Sequence, residues 1–202
     1  MPALSDFLEI RTRTSWGRAL AEFADFCAPA LSAVALDIGC GPGLLPAILA
    51  ERGCISLGLD LDLGLLKAGP SQGLCQADAS QLPFPDESFD LVTSTTVMFL
   101  LDNTVGALRE WRRVLKKSGA ICLLNPSDFL TVDSVTSVVE SRRLEGAARE
   151  SLLAWAHLAE SHARWTEAKT RTLLEAAGLE LAESFLRVGL GYARLTRAER
   201  PK

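Results

Sequence analysis

Two histidines and one tyrosine are all that the 202-residue chain holds of those types. His157 and His162 stand five positions apart, and a helix turns such residues about 140° from one another, so they cannot share a metal ion. The five cysteines, Cys27, Cys40, Cys54, Cys75 and Cys122, form no C-x-x-C pair and leave one over. That argues against a disulfide frame and against a zinc site, and for reduced, mostly buried thiols. Positive charge is also short. Lys and Arg number 21 against 25 Asp and Glu, a net charge of −4, which provides no general basic field for a phosphate backbone. No run approaches the roughly 18 apolar residues of a membrane span. Asp6 and Glu9 come too early for a signal peptide. With 48% hydrophobic and 23% charged residues, disorder is excluded as well. The expectation is a soluble cytoplasmic protein with no metal and no membrane partner, for which nucleic acid is a poor candidate.

What is present is a rhythm of short apolar runs. Residues 33–38, 55–59, 89–93 and 120–124 are too short for helices and are bounded by Gly, Pro, Asp or Ser. They suit strands buried on both faces of a parallel sheet. A weaker run at 73–77 fits between the second and third. Helical stretches at 44–52, 63–68 and 104–117 alternate with them, which predicts an α/β, Rossmann-like doubly wound sheet within one domain, 1–202. Residues 4–28 read as an N-terminal helix. Residues 130–164 read as a helical insert, with Leu144, Ala148, Leu152, Trp155, Ala159 and Ala163 at steps of three and four. Thr166 is a plausible N-cap for a helix stopped by Gly178. The runs 179–188 and 192–196 then read as a terminal hairpin, giving seven strands with an antiparallel C-terminal strand.

The most informative segment is Asp37-Ile38-Gly39-Cys40-Gly41-Pro42-Gly43. It lies where a strand ends and a helix begins, the edge at which open α/β sheets bind ligands. Glycines let a ligand approach the backbone closely, and the helix N-terminus favours an anionic group. Position 44 is Leu, where a dinucleotide G-x-G-x-x-G pattern requires glycine. Asp60 ends the second strand, 21 positions beyond Gly39, and its two oxygens can accept from both hydroxyls of a ribose. Asp78, after the third strand, can accept from an exocyclic amine such as that of adenine, or cap a helix beginning at Ala79.

With these residues in place the chain resembles the class I S-adenosylmethionine-dependent methyltransferases, in particular the small-molecule branch that includes ubiquinone and menaquinone biosynthesis enzymes. The segments that carry the resemblance are 36–43, 58–60, 77–79, 82–92, 113–119 and 173–179. It implies S-adenosyl-L-methionine as cofactor and a small-molecule acceptor. Asp37, Gly39, Cys40, Gly41 and Gly43 would line the methionine part, Asp60 would hold the ribose, and Leu61 would lie against the adenine. Asp78 and Ala79 would meet the adenine edge, with Ser94 and Thr95 beside the sulfonium. It further implies a lid formed by residues 1–30 and a cap formed by 126–165, whose apolar residues favour a partly apolar substrate.

The chain also departs from the pattern. Relatives in this branch often carry histidines where Phe99 and Leu100 stand, so no catalytic base is assigned; His157 and His162 are the histidines available for that role. Ser94-Thr95-Thr96-Val97 occupies the place of the Asn-Pro-Pro-Tyr type motif used on nucleobase amines. Arg11 and Arg13 suit a surface or a carboxylate clamp equally. Two other classes stay open: a binding or regulatory protein that keeps the cofactor without turnover, and a nicotinamide oxidoreductase, which Leu44 and Asp37 disfavour.

Overall fold

The short apolar runs become strands of one sheet. They are β1 (Val34–Ile38), β2 (Ile55–Asp60), β3 (Leu74–Gln76), β4 (Phe89–Thr95), β5 (Leu115–Pro126), β6 (Glu180–Arg187) and β7 (Ala193–Glu199). The computed structural model describes residues 15–69, 73–162 and 165–201. The strand order is β3-β2-β1-β4-β5-β7-β6. β1 pairs in parallel with both β2 and β4, so the order reverses between β1 and β4, where this architecture opens a ligand crevice. Only β7 runs against the others, pairing antiparallel with β5 and β6.

Alternate residues of the central strands feed two cores, as the period of two requires. Leu36, Ile38, Val92, Ile121 and Leu123 pack on one face with Leu108, Trp111 and Trp165. Ala35, Leu91, Cys122 and Leu124 pack on the other with Phe23, Leu45 and Leu49. These partners come from helices α1 (Ser15–Cys27), α2 (Leu44–Glu51) and α4 (Thr104–Val114), and from Trp165 just ahead of α7 (Glu167–Ala176); a short helix α3 (Leu63–Ala68) follows β2. Of the expected N-terminal helix, 15–27 is observed and 4–14, with Arg11 and Arg13, lies outside the described residues. Thr166 caps α7 as expected, its side chain accepting from the Lys169 N–H.

Two expected boundaries are corrected. The helix read to 117 ends at Val114, and β5 starts at Leu115. Leu115 pairs with Phe89 across the sheet, and Arg200 donates to the carbonyls of Arg112 and Leu115 at 2.7 and 2.6 Å, closing the helix end. The insert is two helices, α5 (Val132–Ser141) and α6 (Gly146–Glu160), joined through Arg143 at φ +50°. Ala148, placed on its apolar stripe, is exposed. These helices own a third core of Leu130, Val135, Val138, Val139, Ala156 and Ala159, closed by Tyr192 from the β6–β7 turn. The Tyr192 hydroxyl donates to the Ser134 carbonyl at 3.0 Å, tying the insert to the sheet.

The basic residues of 109–117 are used largely within the molecule. Arg109 donates to the Ala176 carbonyl, Arg113 bridges Glu110 and Asp86, and Lys116 holds Asp90.

Candidate functional site

The loop after β1 is anchored from β2. The N–H groups of Gly39 and Cys40 both donate to the Leu59 carbonyl, at 2.8 and 2.9 Å. The three alternate glycines take φ of +73°, +52° and +81°, a left-handed path that other residues resist. A Cβ on Gly41 would meet nothing within 4 Å, so this stretch of backbone faces open space. A Cβ on Gly39 would overlap the Val97 side chain, which places the residue after Thr96 directly on the loop.

Asp37 is 1% exposed. Its Oδ1 accepts from Thr93 Oγ1 at 2.8 Å, while Oδ2 is buried with no hydrogen-bond partner. Burial pushes its carboxyl up to about 7, opposed by the Thr93 hydroxyl and assisted by the charge of Asp60. A bare carboxylate oxygen in this position is suited to a cationic group. Thr93, which sequence reasoning did not single out, holds that carboxylate from a strand 56 residues away.

Asp60 is half-buried. Its Oδ2 accepts from the Gly41 N–H at 2.7 Å and its Oδ1 from the Asp62 N–H at 2.9 Å. Each oxygen keeps a further lone pair for a diol. Leu61 beside it is 69% exposed, an apolar surface open to a flat base. Asp78 caps no helix. Its Oδ1 takes the N–H and hydroxyl of Ser80, both at 2.7 Å, which holds its carboxyl below the usual range. Oδ2 remains available to an amine. The Ala79 carbonyl is committed to Trp111 Nε1 at 2.7 Å. Ser94 is 1% exposed and its hydroxyl donates to the Ile38 carbonyl at 2.9 Å, so its side chain stitches β4 to β1. Thr95, half-buried, ends β4. His162 lies edge-on to Phe99 at 5.5 Å with Nδ1 within 3.0 Å of the Leu158 carbonyl.

Cys40 packs rather than reacts. Burial pushes its thiol far up, and a Cβ on Gly58 would come within 2.7 Å of its Sγ and of Leu74 Cδ2. Gly58→Ala is expected to destabilise the fold by about 1–3 kcal/mol through overpacking. Adding Cys40→Ala recovers only part, since Leu74 still obstructs; urea denaturation of both variants checks this.

A cavity of about 310 Å³ is lined by Trp16, Thr96, Ser151, Leu152, Trp155 and Val188. Thr96 lines the cavity and its neighbour Val97 lies on Gly39, so the segment that follows β4 touches both the cavity and the loop.

Residues 36–123 match the methyltransferase domain family. An aklanonic acid methyltransferase of Streptomyces sp. (strain C5) is 30% identical over 96% of this chain and 88% of its own. The chain belongs to the class I S-adenosylmethionine-dependent methyltransferases. A demethylmenaquinone methyltransferase of Corynebacterium kroppenstedtii is 28% identical over 71% of this chain. That alignment spans 66% of the relative's length, just under two thirds. The magnesium protoporphyrin IX methyltransferase of Synechocystis PCC 6803, solved with bound S-adenosylhomocysteine, shares the fold. Its TM-score is 0.65 at 16% identity, over 91% of this chain and 83% of that one.

The residues present fit this family's cofactor. The buried, unpartnered Oδ2 of Asp37 suits an ammonium, the free lone pairs of Asp60 suit a ribose diol, and exposed Leu61 suits an adenine face. No helix of the described residues is long and apolar enough to cross a membrane.

Proposed function

We propose that the chain transfers a methyl group from S-adenosylmethionine to a small, partly apolar acceptor. The observation that carries this reading is the Thr96-Val97 pair after β4, where Val97 packs on Gly39 of the glycine loop and Thr96 lines an apolar cavity. The cofactor supplies a methyl group already activated on a sulfonium. The protein's own contribution is alignment and exclusion of water, and near-attack geometry can lower a barrier by about 7–11 kcal/mol in favourable cases. Asp37, Asp60, Leu61 and Asp78 hold the donor, Cys40 supports the loop, and Thr95 ends the strand beside the methyl. Gly39, Gly41 and Gly43 shape the loop. The backbone rather than the hydroxyl of Ser94 faces the donor, and Ala79 contributes its backbone edge. Helix α1 and the α5–α6 cap cover the acceptor. The relatives' named substrates, demethylmenaquinone and aklanonic acid, define the acceptors to screen first.

Calorimetric titration tests the donor half. S-adenosylmethionine and S-adenosylhomocysteine are expected to bind at about micromolar Kd, near −8 kcal/mol, and reduced nicotinamide cofactor not at all. Absence of binding by folded protein overturns the reading. Transfer of labelled methyl to aklanonic acid, or to demethylmenaquinone supplied in its reduced hydroquinone form, completes it.

A further inference from the structure

The outer strand of a sheet presents a row of unpaired backbone N–H and C=O groups, a template for another chain. Strand β6 is such an edge: it pairs with β7, and no described strand pairs with its other side. A register shift between Leu181 and Glu183 interrupts its start, after which Glu183-Ser184-Phe185-Leu186-Arg187 runs regularly opposite residues 197–193. The period of two puts Glu183, Phe185 and Arg187 on one face. That is the α1 face, since Phe185 meets Phe26 edge-on with ring centroids 6.0 Å apart. Phe185 is still 42% exposed, and the Arg187 guanidinium lies 5.4 Å from its ring centroid. Arg187 donates to the Leu186 carbonyl at 3.0 Å, and neither it nor Glu183 forms an ion pair among the described residues. Charge on an edge strand commonly serves to keep other strands away. Here the two charges are of opposite sign and stand two positions to either side of an exposed aromatic residue. Such a strand is complementary to its own reverse.

We propose that two copies of this chain pair antiparallel along β6, about a two-fold axis at Phe185, joining their seven-stranded sheets into one. The contact is isologous, each copy offering the same strand. Phe185 faces the second copy's Phe185, and each Glu183 stands directly opposite an Arg187. Aromatic pairs and pairs of opposite charge attract in those cross-strand positions. The axis is normal to the sheet, so the α1 face of one copy continues that of the other and both Phe26 rings back the central pair. Only this register sets Glu183 against Arg187.

Sedimentation velocity of the full chain in reductant, from micromolar to several hundred micromolar, is expected to show a reversible shift to twice the chain's mass. Glu183→Arg and Arg187→Glu each set like charges opposite one another at two places in the symmetric contact. Each is expected to weaken the dimer about tenfold or more, and the variant carrying both reversals to restore it within about threefold. Thermal melts establish that each variant is folded. A cysteine probe reads the register directly. In Phe185→Cys the new thiol meets its own copy across the axis at a Cα separation of about 4.5–5.5 Å, within disulfide reach. Diamide oxidation should therefore link the copies above the wild-type background. In Arg187→Cys the two thiols stand about 13 Å apart along the strands, and no link forms. A monomer at every concentration, a dimer that survives both single reversals, or a folded double reversal that stays monomeric overturns the proposal. So does linkage at 187 in preference to 185, and where a reversal variant does not fold, the cysteine pair decides.

Discussion

Asp60→Ala is expected to weaken S-adenosylhomocysteine binding by about 100-fold. In the proposed site the carboxylate would offer one free lone pair per oxygen to the ribose diol, and charge-assisted hydrogen bonds contribute about 1.5–3 kcal/mol each. Loss of both, partly offset by water entering the space, leaves about 3 kcal/mol, or two decades in Kd. The same side chain also receives the Gly41 and Asp62 N–H groups, so the substitution loosens the loop. Asp62→Ala separates the two effects. Asp62 caps α3 by accepting from Gly64 and Leu65, and its removal should cost about 1 kcal/mol of stability with little change in Kd. Calorimetry and thermal melting on the two variants provide the comparison. Equal losses of affinity would mean that Asp60 acts only by ordering the turn between β2 and α3.

The glycine loop, Asp60 and the strand order around them are legible in the sequence because their logic is local. A short run, a turn and a carboxylate at fixed spacing are all properties of consecutive residues. The start of β5 is not legible in that way. Leu115, Lys116 and Lys117 extend a helix as readily as a strand, and it is Phe89 across the sheet and Arg200 near the C-terminus that decide. The break in the cap is hidden for a related reason. Arg143 adopts a left-handed conformation with no glycine or proline to announce it ahead of Gly146. At the site, Asp37 stands out by position, but its hydrogen-bond state depends on Thr93, and no pattern within β1 points to a hydroxyl on β4. The same holds for the cavity, where Trp16, Thr96 and Trp155 come from three separated segments and meet only once the insert has folded over the sheet.

Asp37→Asn should move stability and cofactor affinity in opposite directions. The native carboxyl titrates at about 7 against an ordinary value of 3.8, because burial disfavours its charged form. In the unfolded chain it ionises normally, so above pH 4 the unfolded state sheds a proton that the native state retains, and stability falls as pH rises toward 7. A displacement of about three units corresponds to on the order of 4 kcal/mol. The amide removes that penalty but brings an N–H₂ with no acceptor beside the old Oδ2, which returns part of it. A net gain of about 2 kcal/mol is therefore expected at pH 8, shrinking as pH falls from about 7 to 4 and giving way below that to a net loss of about 2 kcal/mol from the unpaired amide alone. Denaturant melts at pH 4 and pH 8 measure it, and an equal effect at both would remove ionisation as the cause. Binding runs the other way. The charged Oδ2 is the group proposed to meet the donor's ammonium, so wild-type affinity for S-adenosylhomocysteine should rise as pH increases toward 7. In Asp37→Asn that rise disappears and affinity at pH 7.5 falls by about tenfold or more. A site that is destabilised when empty and relieved by a cation is the arrangement expected of a carboxylate kept for a ligand. A carboxylate serving only the fold would show the stability change without the change in binding.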